Sequence, residues 1–103
     1  MTEPQFVVAS GDDACAPLVT ARGEIDLSNV DQFRVVLDEA ASAADTVEVD
    51  LREVTYCDSA AMRALFTVAA HTKLTVSIRD RGPVTALLRI SGLDRITTVR
   101  RVD

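Results

Sequence analysis

The sequence predicts an α/β fold, with a mixed sheet of four or five strands and helices mainly on one face of that sheet. Short β-rich segments alternate with amphipathic segments of helical period, in the order β-β-α-β-α-β-α-β. Strand–helix–strand units of this length imply parallel neighbouring strands joined by right-handed crossovers. With 103 residues, the chain is expected to form one domain over residues 1–103, too short for helices to cover both faces of a sheet.

The N-terminal part is predicted to hold two strands and the first helix. Gln5 to Ala9 is short and β-rich, and Leu18 to Arg22 is a second strand, followed by a loop from Gly23 to Ser28. The first helix is expected from Val30 to Ala44, because apolar residues recur there at helical spacing. Ser28 stands three residues before Asp31, which resembles a helix-capping arrangement.

The middle of the chain is predicted to be a half-buried strand followed by a second helix. From Asp45 to Leu51, apolar residues alternate with Glu48 and Asp50, the pattern of a strand with one buried face. The second helix is expected from Ala60 to Ala70. Four apolar residues at i, i+3, i+4 and i+7 would face the core there, namely Met62, Leu65, Phe66 and Ala69.

The C-terminal part is predicted to add two strands and a third helix. Leu74 to Ile78 is a strand, and Pro83 suits the first position of a helix, where its missing N–H costs nothing. Gly92 fits the residue just past the end of that helix. Thr97 to Val99 could form a last short strand, and Arg100 with Arg101 is assigned to a solvated tail.

Composition excludes several classes of function. The net charge is −5, from 11 basic and 16 acidic residues, which argues against binding a nucleic-acid backbone. The N-terminus lacks the basic-then-apolar pattern of a signal peptide, and no apolar run approaches the ~20 residues that span a bilayer. The sequence therefore predicts a cytoplasmic protein that neither inserts into membranes nor binds nucleic acid.

Polar residues follow the second and third predicted strands. Because the carboxyl ends of parallel strands lie at one edge of a sheet, where open α/β sheets place their sites, these residues are expected to converge there. A serine hydroxyl at the start of a helix can also accept hydrogen bonds from free backbone N–H groups. The residues concerned are Glu24, Asp26 and Ser28 after the second strand, and Tyr56, Cys57, Asp58 and Ser59 after the third.

The segments GEIDLSNVDQFR and VEVDLREVTYCDSAAM, followed by GLDRI, resemble the STAS-domain family, and more narrowly the bacterial anti-sigma factor antagonists. The resemblance covers nearly the whole chain. It implies that Ser59 is phosphorylated by an anti-sigma factor, a serine kinase of the histidine-kinase-like ATPase type, and that a serine phosphatase resets it. No cofactor is implied. The partner-binding surface implied is Glu24, Asp26, Ser28, Asp58, Ser59, Met62 and Arg63.

Two alternatives stay open, one from the residues themselves and one from a resemblance to single-domain, transport-associated STAS members. Asp58 and Ser59 could simply cap the second helix. The family's usual motif continues after the serine with a hydroxyl residue and a glycine, where this chain has Ala60 and Ala61. A STAS accessory subunit of a transporter ATPase, without a phospho-switch, would use Ser59 only as an interface residue. An enzyme is not expected, since no catalytic constellation occurs.

The two cysteines and the histidine carry weaker hypotheses. Cys57 and Cys15 are candidate redox residues, although a small buried hydrophobe is the commoner role of a lone cysteine, and a disulfide between them has no spacing support. No metal site is expected, because His71 has no ligand spacing to either cysteine. His71 is instead expected at an exposed position near the end of the second helix.

Overall fold

A single five-stranded sheet organises the molecule. The computed structural model describes residues 4–12 and 15–102. The strands lie in the order β1-β2-β3-β4-β5, with β1 antiparallel to β2 and all other neighbours parallel. The elements are β1 (Phe6–Ala9), β2 (Leu18–Ile25), α1 (Val30–Ala43), β3 (Thr46–Cys57), α2 (Ser59–Ala69), β4 (Lys73–Arg79), α3 (Pro83–Ser91), a 3₁₀ turn (Leu93–Arg95) and β5 (Thr98–Val102). The predicted mixed α/β sheet is confirmed, and only the 3₁₀ turn was not expected.

The two faces of the sheet differ in polarity. Val19, Val49 and Val76 are aligned across three parallel strands and are buried under the helices. One residue further on, Thr20 is aligned with Asp50, which is aligned with Ser77, and these side chains occupy the opposite, partly solvated face. Because side chains alternate between faces along a strand, this pattern places the helices on one side of the sheet, as predicted.

Helix α1 packs against the sheet through the apolar stripe that its sequence predicts. Val30, Phe33, Leu37 and Ala40 are its buried residues. The ring of Phe33 lies 5.3 Å from that of Phe6, centroid to centroid, and so connects the helix to the edge strand β1. Packing of this stripe, rather than intrinsic helix propensity, is what stabilises an amphipathic helix of this length.

Strands β2 and β3 extend further than predicted. The segment from Gly23 to Ile25 belongs to β2 and not to a loop, and β3 continues beyond Leu51 as far as Cys57. Beyond Leu51 the buried residues Val54 and Cys57 recur every third position, and the pairing with β2 shifts between Thr20 and Arg22 and again between Gly23 and Glu24. These irregularities remove the two-residue alternation from which strands are recognised.

Gly23 lies at the second of these irregularities with a φ of +73°. Few other residues adopt that backbone conformation without strain, so a glycine suits this bulged position. The bulge changes the direction of the end of β2, where the acidic residues of the candidate site begin.

The C-terminal elements follow the predicted signals except at the last strand. Pro83 is the first residue of α3, and Gly92 ends it with a φ of +82°, both as predicted. Arg100 and Arg101 were assigned to a tail, which is wrong, because both pair with β4 within β5. Arg100 also forms an ion pair with Glu48 on the solvated face of the sheet. Charged residues of this kind are common on edge strands, where they oppose unwanted pairing with other chains.

Candidate functional site

The carboxyl ends of β2 and β3 lie side by side. Glu24 is aligned with Tyr56, and Ile25 with Cys57. The backbone N–H of Asp58 donates a hydrogen bond of 3.2 Å to the carbonyl of Ile25, which continues the pairing to the first residue of the turn into α2. The acidic segment after β2 and the start of α2 therefore share one edge of the sheet, as the parallel arrangement predicts.

Asp58 caps helix α2. Its backbone is extended, with φ −108° and ψ −172°, as is usual for an N-cap residue. Its Oδ1 accepts hydrogen bonds from the N–H groups of Ala60 at 2.9 Å and Ala61 at 3.3 Å. The capping role that sequence alone left open between two residues thus belongs to Asp58.

Ser59 is the first residue of α2 and is exposed. Within the part of the chain that the structure describes, its hydroxyl takes no part in a protein hydrogen bond, because the cap is supplied by its neighbour. An exposed hydroxyl without an internal structural role is chemically available to a partner. This is the geometry that a modified or contacted serine needs.

A compact turn borders Ser59 on the β2 side. The Oδ1 of Asp26 accepts hydrogen bonds from both the backbone N–H of Ser28, at 2.9 Å, and its hydroxyl. The prediction that Ser28 caps α1 is wrong, because Ser28 is held by Asp26 and the N-cap position is Asn29. Short polar side chains compete in this way between helix capping and local turns.

Asn29 is a residue of this edge that sequence reasoning missed. Its Oδ1 accepts from the N–H of Asp26 at 2.9 Å, and its Nδ2 donates to the carbonyl of Glu24 at 2.8 Å. Gln5, the residue before β1, also donates to that carbonyl and accepts from Asn29. The only sequence signal for this role was the position of Asn29, two residues before Asp31. Its hydrogen-bond partners are either distant in sequence or backbone groups, so the sequence did not reveal them.

We expect Ser28→Ala to raise the pKa of Asp26. The hydrogen bonds from Ser28 hold the pKa of that carboxyl below its ordinary value, because they favour the charged form. A pKa lowered by folding contributes stability above the unfolded value, and that contribution is lost as the pH falls through the folded value. Carboxyl carbon shifts of Asp26, followed by NMR during an acid titration, would measure the change; Ser42→Ala on α1 is the control.

The remaining predicted contact residues of α2 differ in exposure. Met62 is only 4% exposed and packs in the core, so its assignment to a docking surface is corrected. Arg63 is exposed, on the same side of the helix as Ser59 and Thr67. This spacing of four residues is the helical repeat, and Ala61, Ala64 and other residues between them face the core.

The cysteines lie at opposite edges of the sheet. Cys15 precedes the first residue of β2, and Cys57 is aligned with the last, so the strand separates them by roughly 20 Å or more. A disulfide within one molecule needs Cα atoms less than ~7 Å apart and is therefore not formed. Burial, together with the charge of Asp58, raises the pKa of Cys57 to about 11, which is unfavourable for redox sensing at that residue.

We expect iodoacetamide at neutral pH to label Cys15 and to leave Cys57 unmodified. Cys15 is exposed, whereas Cys57 is buried and stays protonated. Mass spectrometry of the labelled, digested protein checks this expectation. Labelling in denaturant, where both thiols react, is the control; rapid labelling of Cys57 in the folded protein would mean that the edge at Ser59 opens.

Other kinds of site are not evident in residues 4–12 and 15–102. This part contains no group of three His, Cys, Asp or Glu side chains placed to hold a metal ion. None of its helices is long and apolar enough to cross a membrane. A cleft of about 360 Å³ lies between β3 and the start of α3, and none of the candidate site residues lines it. His71 is exposed just after α2, as predicted.

Known proteins of similar sequence or structure share this fold. A family model described as "Mlab, STAS domain" matches residues 9–100. No curated protein matches by sequence. Among solved structures, an anti-sigma factor antagonist from Mycobacterium paratuberculosis is 18% identical with a TM-score of 0.81, and the match covers 99% of this chain and 92% of that chain.

Two structures of SpoIIAA are also similar. The anti-sigma factor antagonist SpoIIAA in its unphosphorylated form is 15% identical with a TM-score of 0.61, covering 88% of this chain and 96% of that chain. The Bacillus cell fate determinant SpoIIAA in its phosphorylated form is 21% identical with a TM-score of 0.54, and the match covers 91% of this chain and 89% of that chain. At these identities the likeness shows the fold.

Proposed function

Because this chain belongs to the STAS-domain family, we propose that it is an anti-sigma factor antagonist whose binding surface is switched by phosphorylation of Ser59. In its unmodified form it binds an anti-sigma kinase in the cytoplasm and so releases a sigma factor. The observation that carries the proposal is the hydroxyl of Ser59, which is exposed beside the capping residue Asp58 and forms no hydrogen bond to any residue that the structure describes. The fold supports it, since a protein of this fold has been solved in unphosphorylated and phosphorylated forms.

The proposed modification needs no catalytic group from this chain. The kinase transfers the γ-phosphoryl group of ATP to the Oγ of Ser59, so that an O–P bond forms, the bond to the β-phosphate breaks and ADP leaves. The hydroxyl proton goes to a base of the kinase or to water. A serine phosphatase returns the hydroxyl by hydrolysis. This division of roles makes the chain a substrate and a binding partner, not an enzyme.

The switch is electrostatic in this account. A phosphate adds about −1.5 to −2 charges at neutral pH. Asp58, Glu24 and Asp26 already place negative charge at the same edge, and the hydrogen bonds from Ser28 favour the charged form of Asp26 by lowering its pKa. A partner surface that accommodates these three carboxylates must desolvate and repel the added charge. Phosphorylation therefore weakens binding without requiring the fold to change.

A second candidate, an accessory subunit of a transporter ATPase, is favoured by one feature of the sequence. Ala60 and Ala61 replace the hydroxyl residue and the glycine that follow the family's phosphorylated serine. The matching family model is also described without reference to a sigma factor. In this case the same edge of the sheet binds the ATPase, and Ser59 is a contact residue that is never phosphorylated.

Incubation with anti-sigma kinases separates these candidates. The protein is mixed with each kinase-like ATPase of its source organism and with ATP, and the modified residue is located by mass spectrometry. Phosphate on Ser59, absent from the Ser59→Ala variant, supports the antagonist. Stable binding to a transporter ATPase, with no phosphate transferred by any kinase, would support the accessory subunit and contradict the proposed switch.

A further inference from the structure

One exposed stripe of α2 carries both the serine and an arginine. Along the helix, Ser59, Arg63 and Thr67 are exposed, while the residues between them are buried or half-buried. Residues four apart on a helix are neighbours on its surface, about 6 Å apart between Cβ atoms. Ser59 and Arg63 are therefore within reach of each other through their side chains.

The direction of the helix favours this contact. Long side chains of helical residues lean toward the helix N-terminus, over the preceding turn, which favours an Arg63 guanidinium that extends toward Ser59. An anionic residue followed four positions later by a cationic one is also the more stabilising order for such a pair. Within residues 4–12 and 15–102, the ion pairs with arginine involve Arg52, Arg79 and Arg100, and none involves Arg63.

We propose that Arg63 is the internal counter-ion of a phosphate on Ser59, which it binds through its guanidinium within the same helix. The proposal rests on the proposed function in that it concerns the phosphorylated form of Ser59. Arginine donates two parallel N–H groups that match two phosphate oxygens, and the resulting charge-assisted bonds are stronger than neutral ones. The contact offsets the repulsion between the phosphate and Asp58, Glu24 and Asp26.

This contact makes the switch act in two ways. Phosphorylation adds negative charge at the first turn of α2, and it also withdraws Arg63 from the surface that a partner meets. In the unmodified protein, no ion pair among the described residues holds the guanidinium, which can then contact an acidic group of the partner. The phosphorylated protein therefore loses a cation in addition to gaining an anion, while helix α2 and its Asp58 cap remain in place.

The test uses phosphoserine installed at position 59 during synthesis of the full chain, so that no kinase is needed. The second ionisation of the phosphate is followed by ³¹P NMR as a function of pH. We expect its pKa to be lower with Arg63 than in the Arg63→Ala variant, by about half a unit at low salt, since a nearby cation favours the dianion. Arg63→Lys should keep part of the difference, and added salt should reduce it.

Arg95→Ala is the matched control, because Arg95 is exposed and precedes β5 at the opposite edge of the sheet. Circular dichroism of each variant establishes that it is folded, which is expected because Arg63 lies on the surface. Identical phosphate titrations of the parent protein and Arg63→Ala would overturn the proposal. If kinases fail to modify Ser59 but the titrations differ, the phosphate contact stands and the proposed function fails.

Discussion

Ser59→Asp is expected to weaken binding of the anti-sigma partner by about a hundredfold, which corresponds to about 2.8 kcal/mol. The substitution places a permanent negative charge on the exposed first residue of α2, next to Asp58 and across the sheet edge from Glu24 and Asp26. A partner that closes over this edge must bring the added charge out of water beside carboxylates that are already there. Isothermal titration calorimetry with the purified partner measures the loss.

Two further variants show whether the position of the charge matters. Ser59→Ala should bind within about twofold of the parent protein, because the Ser59 hydroxyl makes no hydrogen bond in the described structure that its removal would break. Thr67→Asp puts the same charge on the same exposed stripe two turns further along α2 and should bind nearly normally. Equal losses for Ser59→Asp and Thr67→Asp would mean that the effect is general repulsion and not a switch at the helix start.

Phe33→Ala is expected to lower the free energy of unfolding by about 3–5 kcal/mol. Phe33 is fully buried, and its ring contacts Phe6, so its removal leaves a cavity where α1 meets the sheet and loosens the edge strand β1. Domains of this size are commonly stable by only about 5–15 kcal/mol, so this loss is a substantial fraction of the total free energy of unfolding. Urea unfolding followed by circular dichroism measures the change.

Val35→Ala on the same helix is the matched control. Val35 is 66% exposed, and surface substitutions away from special features usually change stability by less than about 0.5 kcal/mol. A comparable loss of stability in both variants would show that helix α1 is held by its own propensity and not by the packing of its buried stripe.

The sequence predicted the fold well where the hydrophobic period was regular. Three features were predicted correctly because each depends only on residues close together in sequence. They are the buried stripe of α1, the alternation in the first half of β3, and the Pro83 and Gly92 signals of α3. The resemblance of the GEIDLS and YCDSAAM segments to the STAS-domain family is confirmed by the family model over residues 9–100. The fold is shared with a solved anti-sigma factor antagonist.

The prediction from sequence patterns failed where pairing between strands interrupts the regular alternation of buried and exposed residues. The end of β2 and the second half of β3 pair through register shifts, so their buried residues recur at irregular intervals and resemble a loop. Met62 illustrates a second limit: its helical spacing correctly predicted a core position, whereas the docking surface implied by the family resemblance included it wrongly. The hydrogen bonds of Asn29 could not be predicted, because they join residues from β1, β2 and the turn.

The candidate site was predicted in position but not in detail. Parallel pairing of β2 and β3 was enough to bring Glu24 and Ser59 to one edge of the sheet. The assignment of the cap to Asp58, and of Ser28 to the Asp26 turn, required the hydrogen bonds. Short polar residues have several local partners of similar energy, and sequence does not decide among them.

Control of partner binding by phosphorylation of Ser59 is measured by comparing two forms of the same chain. One anti-sigma kinase, without ATP, is titrated by calorimetry with the unmodified protein and with the protein carrying phosphoserine at position 59. We expect the unmodified form to bind and the phosphorylated form to bind at least about a hundredfold more weakly. Equal affinities of the two forms would contradict the account.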